Sequence, residues 1–250
     1  MPQQATSIDD VIRRLTEIVE ESATRPSRLG YFAALYRKVT ITVKQHIDAG
    51  DYFEDNARME RLDVLFANRF LQAYDQLQAG TPTRCWGLAF QVTHQWWPIA
   101  LQHQLLGINA HINLDLGIAA AQTVGTGNLA SLHGDFNRIN DLLAGLVGDV
   151  KEELASVWPP LRWLNRHLGS AESSIINFSM SKARDAAWSF AEELVALDES
   201  DHHKAIERRD AEAATIGLLI RYPGVFLGLV AKVVRLGERG PVARVIKVLE

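Results

Sequence analysis

Residues 103–121, HQLLGINAHINLDLGIAAA, constrain this chain more than any other stretch. The run contains no Pro and one formal charge, Asp115, among many Leu, Ile and Ala residues. A helix advances ~100° per residue, so His103, Gly107, His111 and Asp115 fall on one stripe. Asn109 and Asn113 fall on the opposite side, with apolar faces between. Such a helix is buried all round and carries two polar seams. A polar group buried without a partner costs roughly 1–3 kcal/mol. Each seam must therefore meet another helix, its own neighbours, or a metal and its substrate.

Elsewhere Pro and Gly gather in short clusters at 25–30, 79–83, 123–127, 158–160, 168–172, 221–224 and 237–241. Between them apolar residues recur every three or four positions. Phe32, Leu35, Val39, Val43 and Ile47 do so, as do Met59, Leu62, Phe66, Phe70 and Tyr74. Leu132, Phe136, Ile139, Leu143, Leu146 and Val150 make a third stripe. VTITV (39–43) alternates like a strand but has no pairing candidate, and reads as helix. Thr6 or Ser7 ahead of Asp9 and Asp10 is the cap of a first helix. The expectation is an all-α, single-domain array of about eight or nine helices around a buried central helix.

His111 and Asp115 are four apart, so their side chains meet on a helix. Imidazole nitrogen and carboxylate oxygen are ligands that Zn, Mn or Fe accept. His103 on the same stripe and Asp135 in HGDFNRIND would complete a metal set, while Asp141 points to solvent. Asn113 or Arg184 would stabilise oxyanion charge developing beside that metal. Trp86, Phe90, His94 and Trp97 form an aromatic stripe in WGLAFQVTHQWWP, a wall for a hydrophobic substrate. One reading is a metal-dependent enzyme, a hydrolase acting on a small hydrophobic or lipid-like molecule. The alternative is a non-catalytic helical carrier or membrane-peripheral protein with structural seams. In that case His94 is a satisfied core histidine and Asp135 pairs with Arg184.

The blocks FEDNARMERLDVLFANRFLQAY, LLGINAHINLDLGIA, DFNRIN and RDAAW resemble the signature of a bacterial family of unknown function. Its most recognisable element is an N-A-H-I-N-L-D-L core. The resemblance covers most of residues 30–200 and implies membership, with no established activity to carry over. It places Asp55, Asp63, His111, Asn113, Asp115, Asp135, Arg184 and Trp188 at signature positions. A looser similarity is to the all-helical zinc phospholipase C and P1-nuclease enzymes, which use an H-x-x-x-D pair in a trinuclear site. Those enzymes begin with a ligating Trp and supply more His ligands than this chain does.

The net charge of −4 is too mild for a nucleic-acid partner, and the single Cys85 excludes an internal disulfide. No uncharged apolar run reaches the ~18 residues of a membrane span. The start lacks the layout of a secretion signal. These features fit a cytoplasmic protein, soluble or held at a membrane surface. From residue 214 onward six cations face two carboxylates, a balance of +4 that leaves −8 for the rest. Gly228, Lys232, Arg235 and Arg239 share one stripe there. The chain thus divides into a helical core, 1–213, and a basic amphipathic segment, 214–250. The segment, over 225–247, lies on a membrane, docks on the acidic core or fits a partner-protein groove, with docking favoured.

Overall fold

Ser7 starts the first helix: its hydroxyl accepts the amide of Asp10 at 3.2 Å. The computed structural model describes residues 4–139, 142, 180–238 and 240–249, and among them every regular element is helical. α1 (Ile8–Thr24), α2 (Leu29–Ala49), α3 (Asn56–Ala79) and α4 (Arg84–Thr93) come first. A central rod follows: α5 (Ala100–Ala110), a π-helical turn (His111–Leu116) and α6 (Gly117–Val124), without a break. A 3₁₀ turn (Leu129–Leu132) leads into α7 (133–139). α8 (180–196), α9 (Glu199–Arg221), α10 (Gly224–Gly237) and α11 (Val242–Leu249) complete the described chain. With the rod taken as one helix this makes ten, close to the expected number. Leu143, Leu146, Val150, Asn140 and Asp141, and the Pro/Gly clusters at 158–160 and 168–172, lie outside the described residues.

Local chemistry explains the boundaries. VTITV is helical within α2, where Thr40 and Thr42 return their hydroxyls to the Tyr36 and Lys38 carbonyls at 3.0 and 3.1 Å. Gly50 and Gly80 end α2 and α3 at φ of 80° and 75°, left-handed values that favour Gly. Helix N-termini leave unpaired amides, and three of them are met by carboxylates from distant elements. Asp135 accepts the Glu54 and Asp55 amides at 2.7 and 3.2 Å, just ahead of α3. Asp210 of α9 accepts those of Arg84 and Cys85 at the start of α4, at 2.7 and 2.9 Å. Glu238 accepts the Ala100 amide that opens α5, at 3.0 Å.

The rod lies at the centre, packed against α2, α3, α4 and α9. All six residues of the π turn are buried. The division at 213/214 falls within α9, which continues to Arg221. Beyond it, α11 packs on α1 and α2, with Ile246 and Leu249 buried in the common core. No helix among the described residues is long and apolar enough to cross a membrane.

Candidate functional site: a buried cavity beside a π-helical turn

The π turn His111–Leu116 carries the two most conspicuous residues of the central stretch. π-Helical turns are rare and concentrate at functional sites. The wide turn is tied from outside: Arg209 of α9 donates its Nε to the Asn113 carbonyl at 2.6 Å. Just beyond, Gly117 permits close approach of α8, where a Cβ would lie 2.7 Å from the Ala187 carbonyl oxygen.

His111 and Asp115 face α2, α3 and α4. His111 Nδ1 lies 3.2 Å from Asp115 Oδ2. The same oxygen accepts the Trp86 indole N–H at 2.9 Å, and Oδ1 accepts Arg69 Nε at 3.3 Å. A carboxylate offers only acceptors, so Nδ1 must be the protonated nitrogen of a neutral ring. That leaves the lone pair on Nε2. Burial lowers the pKa of His111 against the upward pull of Asp115, so the ring is held neutral. The imidazole lies flat on Phe66, 3.5 Å between centroids and 6° between planes, with the Tyr36 ring 4.5 Å away at 67°.

A cavity of about 60 Å³ opens beside this ring. Its walls are apolar: Phe32, Leu35, Val39, Val43, Leu62, Phe66, Ile108, Ile112, Leu116, Ile139 and Met180. Three polar residues join them, Tyr36, Asp63 and His111. Each has a buried polar atom with no hydrogen-bond partner among the described residues: Tyr36 Oη, Asp63 Oδ2 and His111 Nε2. Native proteins pair nearly all such atoms. Burial pushes the Asp63 carboxyl up to about 7, with a smaller push from Glu60. Burial also raises the Tyr36 phenol well above its ordinary value. The cavity wall is thus almost wholly apolar, and three of its residues each hold a buried, unpaired polar atom: a neutral imidazole, a phenol, and a carboxyl group raised to about 7.

The expected metal set does not assemble. His111 and Asp115 meet, but His103 sits three turns of chain before the π turn's end, edge-on to Tyr31 with centroids 5.9 Å apart. Burial and the nearby Arg28 and Arg235 push His103 down to about 3. Asp135 is buried at the start of α3, where Arg58 and Arg138 pair with it at 2.7 and 3.0 Å. Burial there raises its pKa less than the Glu54 amide, Arg58 and its other donors lower it, so it stays ionised. Both oxygens of Asp115 are likewise committed, one to a cation that would oppose a metal. Among the described residues no three His, Cys, Asp or Glu side chains come together to hold a metal ion.

The other expected site residues are also dispersed. Asn113 faces α9, donating to Asn109 Oδ1 at 3.1 Å, while Asn109 donates to the Ala213 carbonyl at 2.8 Å. This is the second polar seam, and it joins helices. Arg184 is buried on α8 and does not line the cavity. Trp86 and Phe90 stack on each other at 5.3 Å, behind the cavity and not in its wall. His94 is exposed because α4 ends at Thr93, and Trp97 is exposed in the turn before Pro98.

Tyr36 and Asp63 line the cavity but lie outside the expected set of site residues. Both carried a signal. Asp63 is four after Met59 and three before Phe66, placing a carboxylate on a buried stripe. Tyr36 sits between Phe32 and Val39 on another.

A protein-family model described as "Family of unknown function (DUF5995)" matches residues 8–223. The chain belongs to this family. No curated protein matches the chain, and no solved structure does. The family match spans α1 through α9 and so includes every helix that builds the cavity, whereas α10 and α11 lie beyond it.

Proposed function

We propose that the protein binds a small, largely apolar molecule through one hydrogen-bonding end, and that His111 and Asp63 move a proton at that end. The observation that carries this reading is that three residues lining one apolar cavity, Tyr36, Asp63 and His111, each hold a buried polar atom without a partner among the described residues. A ligand oxygen entering there would accept from Tyr36 or protonated Asp63 and meet the lone pair of His111. Asp115, Trp86 and Phe66 fix the imidazole's tautomer and plane, as a base requires before the substrate arrives. Apolar walls keep water from competing for these groups. A cavity of ~150 Å³ holds a benzene ring, so the 60 Å³ here takes only part of a molecule of that size, such as one end of 2-butanone. A hydrolase is the form of this chemistry in which His111 activates water. A carrier is the form in which the same groups only hold the ligand.

Exchange of the α-protons of 2-butanone in D₂O tests the acid–base reading. His111 Nε2 would take the proton from carbon while Asp63 protonates the carbonyl oxygen, and reversal in D₂O would return deuterium to carbon. The expected result is exchange faster than in buffer and lost in His111→Gln and Asp63→Asn. Saturable binding of 2-butanone with exchange no faster than buffer would overturn proton transfer and favour the carrier.

A further inference from the structure

α10 is held on the protein with its apolar side outward. Val225, Leu229, Val233 and Leu236 recur at helical spacing and are 94%, 63%, 61% and 60% exposed. The helix is not loose. Arg235 donates to the Trp96 carbonyl and pairs with Glu238 at 3.1 Å, while Glu238 caps α5. α11, immediately after, is anchored in the core by Ile246 and Leu249. Docking and exposure are thus divided within the basic segment: α11 docks, and α10 presents an apolar stripe.

Two exposed tryptophans stand beside α10. Trp96 and Trp97, 50% and 56% exposed, stand in the turn before α5. The Arg235 guanidinium lies over the Trp96 ring at 4.9 Å, and the Lys232 ammonium over Trp97 at 5.9 Å. Scattered exposed apolar residues are ordinary, but a row of four on one helix with two tryptophans beside it marks an interaction site. Tryptophan beside cations and aliphatic side chains is the composition of a surface that enters the lipid headgroup region. Charge complementarity selects anionic lipid. The one acid in residues 214–249, Glu238, is spent on Ala100 and Arg235. Lys232 on α10 is exposed, and Glu238 is the one carboxylate between residues 214 and 249 that could offset it, which favours a negative surface.

We infer that α10 and the Trp96–Trp97 turn form a docking face for an anionic membrane surface, on which the protein lies without spanning it. This is independent of the cavity reading.

The test is co-sedimentation of the full chain with phosphatidylcholine vesicles, with and without phosphatidylserine. Binding is expected with phosphatidylserine at ~0.1 M salt and weakened at ~1 M, as the screening length falls from ~10 to ~3 Å. Leu229→Asp should weaken it by about tenfold or more, the equivalent of one apolar side chain. Lys232→Gln should weaken it by about fivefold, one cation's share near such a surface. Circular dichroism should be unchanged, since both positions are exposed. Brominated lipid should quench the wild type and quench Trp96→Phe/Trp97→Phe less. Absence of binding at low salt overturns the inference, as does binding that survives both Leu229→Asp and Lys232→Gln. Dimerisation in solution that Leu229→Asp abolishes, with no vesicle binding, would assign the face to a second copy instead.

Discussion

The imidazole of His111 is stacked face to face on the Phe66 ring, and the same imidazole is tied through Nδ1 to Asp115. The two contacts fix the ring's plane and its rotation together, and leave Nε2 as the free edge. The ring should therefore be neutral with the proton on Nδ1 at neutral pH, and gain a second proton only below the ~6.5 of an ordinary His. Nitrogen-15 chemical shifts of His111 read this directly. An Nε2–H tautomer, or protonation near pH 6.5, would contradict the assignment.

Asp63 should leave a signature in stability against pH. Its folded pKa of about 7 lies above the model-peptide value near 3.9. The folded state therefore holds the proton more tightly, and the stability this contributes is complete below about pH 4 and lost as pH rises through 7. His111, with its lowered pKa, acts oppositely, contributing above pH ~6.5 and losing that contribution as pH falls. Comparing Asp63→Asn with wild type isolates the carboxyl. The variant should gain on wild type between about pH 4.5 and 8, by up to ~1.4 kcal/mol per unit while the difference lasts. Urea denaturation at the two ends of that range would show it, and a constant difference would refute it.

Trp86 and Arg69 join α4 and α3 to the rod through Asp115. Trp86→Phe keeps the ring and removes one donor, and should cost ~1–3 kcal/mol. Asp115→Asn should cost more, about 3–5 kcal/mol, because it strips Arg69 of its counter-charge. Thermal unfolding of the two variants gives the order. Equal losses would mean that the ion pair adds nothing to the indole bond.

Gly107 lies where the rod meets α2. A Cβ there would fall 2.5 Å from Phe32 Cγ, inside a ring that also lines the cavity. Gly107→Ala should cost ~1–3 kcal/mol through overpacking, despite alanine's better helix propensity. A stabilised variant would show that Phe32 moves aside freely.

Much of this arrangement was legible in residues 103–121, because period alone puts His111 above Asp115 and sets Asn109 and Asn113 opposite. The structure keeps both seams and gives the asparagine seam to α9. The long-range partners were not legible. Asp135 looks like a ligand in sequence, and only the fold brings its carboxylate to the Glu54 and Asp55 amides. His94 and Trp97 followed a helical stripe past the point where α4 stops. The π turn was invisible to a count made at 100° per residue, and the Arg209 bond to its Asn113 carbonyl comes from another helix. Asp63 and Tyr36 were hidden among apolar stripes until the folded chain showed a common cavity between them.

On the proposed reading, this cavity accepts a small molecule at Tyr36, Asp63 and His111. Titration of the protein with 2-butanone, followed by the side-chain NMR signals of His111, tests it most directly. A saturable shift of the His111 signals is expected, absent in a Leu62→Phe variant whose larger side chain occupies the cavity. Signals of His111 that stay unmoved while 2-butanone is raised to saturating concentrations for any weak apolar site, in a wild-type protein that remains folded, would contradict it.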